Sequence, residues 1–426
     1  MLIATISWKL SRGLQRNLLL INLIYYFIFI KIILYYCIPT VLRIYSDYQF
    51  EAQDGVSIDK VIEIYAIENI SWIFWTLGLY LTLYFLKNNS DEFKIDKLSK
   101  NIILIICFGY ILTQIIGFYG FDQPIILEPF KSLFYFGGLV MGPFLVVISR
   151  KYLTNLFYVL GIICLIISLA TTSTRGILIY ALFFILFLSW HFFNNKKIFF
   201  LVIIILFFTG LTYFLFGGLV SPTFNKNDGG DIVFSVNIDT DKKGDRSSLD
   251  EIEWRFGAAT RMGTAFIDLY DNKKSAGLNP ILHSLQGIIP RSIMPDKPHP
   301  STLDGDDIYS QGMYIIYREI HGYNNVNMVE FPTGAHFYWE FGYLGVILFS
   351  ILSGLYIAIS THFYSKLGII SIPLTIILFK PWGYMEPKIW ISDAVMQVYQ
   401  IALPLIFIVL ILNLLDKVTK IKVSRK

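Results

Sequence analysis

In the segment "AHFYWEFG", His336 and Glu340 stand four residues apart, a spacing that sets an imidazole and a carboxyl on one face of a helix. Either group could take a proton from an attacking hydroxyl, so both are candidate bases, although a lone histidine at the mouth of an apolar span is more often structural. A second set is cationic: Arg175, Arg255, Arg261, Arg291, Arg318 and Lys297. A guanidinium gives planar, bidentate hydrogen bonds to phosphate and keeps its charge at any relevant pH, whereas an ammonium acts as a point charge. These residue types fit the binding of an anionic ligand beside a proton-transfer step.

Each cation also has a plainer reading. Arg175, at a span end, could snorkel to lipid head groups. Arg291 could pair with Asp296, and Arg255, four residues after Glu251, with that carboxylate. Lys297 could merely solvate a turn. Arg291 and Lys297 lie in "IIPRSIMPDKPHP" (288–300), whose four prolines fix φ and remove backbone donors. That segment is expected to be stiff and extended, holding both cations in fixed positions. Asp304, Asp306 and Asp307 in "STLDGDD" read as turn-forming or solvated, and their spacing matches no complete calcium loop, so no metal is expected. No cofactor is expected either.

The elements that must position these groups follow from composition. The 426 residues are 55% hydrophobic and 17% aromatic, with a mean hydropathy of +0.58, beyond what a soluble core requires. The chain therefore reads as an all-α polytopic membrane protein. About ten apolar runs are long enough to cross a hydrocarbon core, near residues 18–40, 61–86, 101–120, 124–148, 153–170, 176–193, 198–220, 340–360, 367–380 and 394–415. The fourth is interrupted and the ninth is short. Lys31, Glu68, Glu128 and Lys131 fall within or beside these spans and are expected to face protein or water rather than lipid.

Basic residues cluster at every second connection, which puts those connections and both termini in the cytoplasm and the rest outside. The first apolar run is too long for a cleaved signal and lacks a small-residue cleavage site, so it reads as an uncleaved anchor. Cys37, Cys107 and Cys164 all sit within spans and cannot staple an outer loop. The division is then a membrane bundle over 1–220, an outer loop over 221–338 and a second bundle over 339–426.

The formal charge of +4 averages two regions, since the loop carries 11 Lys/Arg against 16 Asp/Glu. An acidic outer loop argues against nucleic-acid binding. Residues 221–250 read mostly as mobile, with one short strand at "DIVFSV". "SSLDEIEWRFGAATRMGTAFIDLYDN" places Ile252, Phe256, Ala259, Met262, Phe266 and Tyr270 at helical spacing and predicts an amphipathic helix lying on the membrane or on the outer ends of the spans. "NPILHSLQGII" predicts a second, short helix.

The blocks "IIPRSIMPDKP", "FPTGAHFYWEFGYLGV" and "TTSTRGILIY", with this topology, resemble the O-antigen and capsule repeat-unit polymerases called Wzy. The resemblance covers most of the chain in topology and only these blocks in sequence. It implies a GT-C-like membrane glycosyltransferase of the bacterial inner membrane, joining oligosaccharides carried on undecaprenyl pyrophosphate, with a flippase and a chain-length regulator as partners. It assigns phosphate contacts to Arg175, Arg291 and Lys297. Where the family pattern carries an amide before Phe-Gly, this chain carries Glu340. An O-antigen ligase shares topology and carrier, and a lipid-linked glycan transporter shares the membrane setting, so both stay open beside the polymerase.

Overall fold

The computed structural model describes residues 56–86, 95–118, 129–171, 220–226, 232–238, 248–289, 294, 332–378, 388 and 390–424. The expected spans at 18–40, 176–193 and 198–220 lie outside these residues, as does most of the proline-rich segment. In chain order the elements are α1 (Ile58–Phe85), α2 (Lys97–Phe118), α3 (Lys131–Tyr152), α4 (Asn155–Thr171), β1 (Val220–Lys226), β2 (Ile232–Ile238), α5 (Ser248–Asp271), α6 (Asn279–Ile288), α7 (Thr333–Ser365), α8 (Ser371–Ile377), α9 (Ile391–Gln397) and α10 (Leu403–Ser424). Four stretches are long and apolar enough to cross a membrane: Lys97–Gly117, Lys131–Ser149, Thr333–Ser365 and Ala394–Thr419.

Of the expected fourth span, residues 131–148 fall in one helix, α3, with Pro143 inside it, while 124–128 lie outside the described residues. Beside the helices, β1 and β2 pair antiparallel from Val220↔Ile238 to Lys226↔Ile232. The expected strand at "DIVFSV" thus has a partner in a stretch whose Pro222 and Asn225 disguise it.

The chain divides into two compact units that are interleaved in sequence. One draws on Asp91–Ser248, Tyr364–Ile377 and Tyr399–Lys426. Here α3 packs against both α2 and α4, and small residues permit the approach. A Cβ on Gly138 would fall 2.0 Å from Tyr110, whose hydroxyl meets Ser168 Oγ at 2.9 Å.

The other unit draws on Met1–Ser90, Leu249–Phe363 and Leu378–Val398. Its first described helix, α1, starts where Ser57 accepts from Lys60 N at 3.3 Å, with Asp59 in the first turn. α1 lies against α7 with almost no side-chain spacer: a Cβ on Gly78 would stand 2.2 Å from Ile351 O, and one on Gly354 2.1 Å from Trp75 O. Between their polar positions, Ser71 Oγ meets Ser350 Oγ at 2.8 Å. Ile64, Ile67, Ile267, Phe337, Tyr338 and Val346 form the core where α1, α5 and α7 converge.

The expected amphipathic helix exists as α5, and protein covers its apolar face from Met262 onward, one of the two settings expected. Met262, Phe266 and Ile267 are fully buried, and each such side chain contributes about 1.5–3 kcal/mol of burial. Gly263 sits over Ile64 of α1, and Lys60 of α1 reaches Asp268 and Asp271 of α5, each at 3.3 Å, as well as Glu63 at 3.2 Å. Partial burial of Lys60 opposes its charge, but hydrogen bonds and attraction from Glu63 and Asp268 outweigh it and hold the ammonium above the usual lysine range.

Candidate active site

The first two turns of α7 carry both candidate bases. The leading N–H groups of any helix lack intrahelical partners, and a carboxylate is stabilising there. α7 receives one from another helix: Ala335 N donates to Glu68 Oε1 of α1 at 3.1 Å. Gly334 makes this approach possible, since a Cβ there would stand 2.7 Å from Glu68 Oε1 and 2.9 Å from Ser71 Cβ.

The second oxygen of Glu68 accepts from Lys388 Nζ. That ammonium also donates to Ser71 Oγ at 3.3 Å and lies 4.3 Å from the centre of the Trp72 ring. Glu68 and Lys388 are both essentially inaccessible to solvent, 1% exposed each. A buried charge survives only when paired and hydrogen-bonded, and this pair meets both conditions.

One turn into α7, His336 Nδ1 stands 3.5 Å from Glu340 Oε1, with both residues fully buried. The helical spacing read from sequence is realised. Among the described residues, no hydrogen-bond donor is seated on either carboxyl oxygen of Glu340. Aromatic rings enclose the imidazole. Trp390 stacks on it at 3.9 Å and 6°, and the rings of Phe266 and Trp339 meet it edge-on at 5.2 and 5.7 Å.

Immediately after Glu340 the helix breaks. Phe341 (φ −145°, ψ 26°) and Gly342 (φ 62°, ψ −150°) are non-helical, and only glycine adopts the second conformation cheaply. Space enforces the same choice, because a Cβ on Gly342 would fall 2.5 Å from the Tyr270 hydroxyl. The carbonyls freed by the break are satisfied by the turn after α5: Ala276 N donates to Trp339 O at 3.1 Å and Gly277 N to Glu340 O at 3.2 Å. Ser275 Oγ also donates to Glu340 O, and Trp339 Nε1 donates back to Lys274 O at 2.7 Å. The short helix bearing His336 and Glu340 is therefore fixed at its start by Glu68 and at its end by residues 274–277.

Of the cations singled out in sequence, Arg175, Arg291, Lys297 and Arg318 lie outside the described residues. Arg255 lies in the N-terminal half of α5, and Arg261, on the same helix, is half-buried. Glu68, expected to face protein or water, faces protein; Lys31 and Glu128 lie outside the described residues. Lys388 and Trp390 are the site residues that sequence reasoning missed. The available signal was a lone lysine beside a tryptophan in "MEPKIW", between two apolar stretches, which matches the expectation that such a charge needs a buried partner.

The arrangement is a buried imidazole packed among aromatic rings beside a buried carboxyl, on a backbone fixed at both ends. The chain matches no protein-family model, no curated protein and no solved structure, so the site's chemistry is its own witness.

Proposed function

We propose that this protein is a membrane glycosyltransferase that polymerises oligosaccharide units carried on undecaprenyl pyrophosphate, acting on the outer side of the bacterial inner membrane. The observation that carries the reading is the buried His336–Glu340 pair at the head of an apolar, membrane-length helix. The three sequence blocks resembling Wzy polymerases support it.

The donor is already activated, so the protein must bind two anionic carriers, offset charge growing on the departing pyrophosphate and accept one proton. A hydroxyl of the acceptor unit attacks the anomeric carbon. A new C–O bond forms, the C–O bond to pyrophosphate breaks, and the leaving group departs with the electron pair. Glu340 is the acceptor of the hydroxyl proton in this scheme. In this scheme His336, 3.5 Å away, closes to hydrogen-bond distance when substrate is bound and orients the carboxylate. Exclusion of bulk water keeps hydrolysis from competing with the sugar hydroxyl. Arg175, Arg291, Arg318 and Lys297, with Arg255 and Arg261, are assigned to the pyrophosphates.

The test is the length distribution of carrier-linked and surface glycan in cells lacking the protein, then restored with wild type, Glu340→Gln or Arg291→Ala. Single units reaching the surface without a ladder, uncorrected by either variant, supports the polymerase. Long chains stranded on the carrier identify a ligase instead, and an unchanged ladder overturns the reading.

A further inference from the structure

Lys388 and Trp390 occupy the same short segment, two residues apart, and engage two different parts of the site. Lys388 is pinned by the Glu68 carboxylate and by Ser71. Trp390 stacks on His336 and then opens α9 as its N-cap residue. The same Glu68 holds the start of the helix that carries His336. One carboxylate therefore fixes both partners of the stack, the imidazole through Ala335 N–H and the indole through Lys388.

We infer that Lys388 is a positioning residue: its ion pair with Glu68 is a tether that holds Trp390 flat on His336 and so sets the orientation of the imidazole toward Glu340. Coulombic attraction is suited to this task because a buried pair is unscreened by salt and resists sliding, whereas an aromatic stack alone permits it. The alternative, that the pair merely offsets two buried charges, leaves unexplained why its lysine is joined to the stacking ring through a single residue. The inference rests on the proposed function only where it gives the imidazole a part in the reaction; the tether itself is a statement about geometry.

The experiment uses the full chain in lipid nanodiscs with isotope-labelled histidine. Of the six histidines, the His336 signal is assigned by its loss in His336→Gln. An indole stacked at 3.9 Å shifts the imidazole resonances upfield by its ring current, and Trp390→Leu should abolish that shift. Because Lys388→Met alone strands a buried carboxylate, the informative variant is Glu68→Gln with Lys388→Met, which removes both charges and keeps an acceptor for Ala335 N–H. The expected result is a His336 resonance moved most of the way to its Trp390→Leu position, with Lys388→Arg close to wild type. Turnover in the double variant should fall by up to about 10²-fold with little change in apparent substrate affinity.

A resonance unmoved in the double variant, or unmoved by Trp390→Leu, overturns the tether. If the resonance moves as expected while His336→Gln polymerises glycan normally, the tether stands and the catalytic reading of the histidine falls.

Discussion

The indole of Trp390 lies parallel to the imidazole of His336, within 6° and with ring centres 3.9 Å apart. Stacking at this distance fixes the plane of the ring, and in that plane Nδ1 stands 3.5 Å from Glu340 Oε1. The geometry therefore separates two roles that a single substitution cannot distinguish. Glu340→Gln preserves shape and removes proton acceptance, and chain extension is expected to fall by on the order of 10²–10⁴-fold with unchanged amounts of folded protein. Glycan ladders normalised to immunoblotted protein provide the check.

Breaking the buried ion pair from one side should be far worse than removing it whole. Glu68→Leu or Lys388→Met alone leaves an uncompensated charge and is expected to cost about 3–5 kcal/mol, while the two together should recover most of that loss. Thermal unfolding in one detergent, as a double-mutant cycle, measures the coupling.

Gly334→Ala places a methyl carbon against Glu68 Oε1, where it would stand at 2.7 Å. The carboxylate must withdraw from Ala335 N–H or the helix start must shift, at about 1–3 kcal/mol. Gly342→Ala adds a strained φ to a clash with Tyr270 and is expected to cost a similar amount, roughly 1–3 kcal/mol. Melting temperatures of the two variants, compared with Gly277→Ala, test this. Gly277 also has positive φ (55°), but no atom lies within 4 Å of its would-be Cβ, so strain without collision is read separately.

Lys60 supplies a pH prediction. Its ammonium is held above the usual lysine range by Glu63 and Asp268, against the opposing effect of burial. Because the folded state binds this proton more tightly than the unfolded chain, its contribution is fully present below the ordinary lysine value of about 10.4 and is lost as pH rises through the higher folded value. The stability difference between wild type and Lys60→Met should thus be flat around neutrality and shrink only under strongly alkaline conditions. A difference that changes between pH 6 and 8 would show that another group governs this contact.

Local features of the site were legible and distant ones were not. The i, i+4 relation of His336 and Glu340 could be read because helical spacing is a property of consecutive residues, and the apolar run after them announced a long helix. The helix break was signalled by Phe-Gly inside that run but cannot be read as a break without Tyr270, which excludes a side chain. Glu68 was recognisable as a charge needing a partner. Its partner could not be named, because 320 residues separate it from Lys388 and no periodicity spans such a distance. α5 left two settings open for a related reason: an amphipathic pattern reports that one face must be covered, not whether lipid or protein covers it.

The break at Phe341–Gly342 divides α7 into a short helix carrying His336 and Glu340, locked to Glu68 and to residues 274–277, and a long apolar shaft. A rigid rod through both would pass every tilt of the shaft to His336 and Glu340, and spans do tilt when bilayer thickness departs from their hydrophobic length. The two non-helical residues interrupt that rod between the locked segment and the shaft, which packs on α1 through Gly78 and Gly354. Turnover in nanodiscs is therefore expected to vary little across moderate changes in acyl-chain length, and Gly342→Ala is expected to make it sensitive to them.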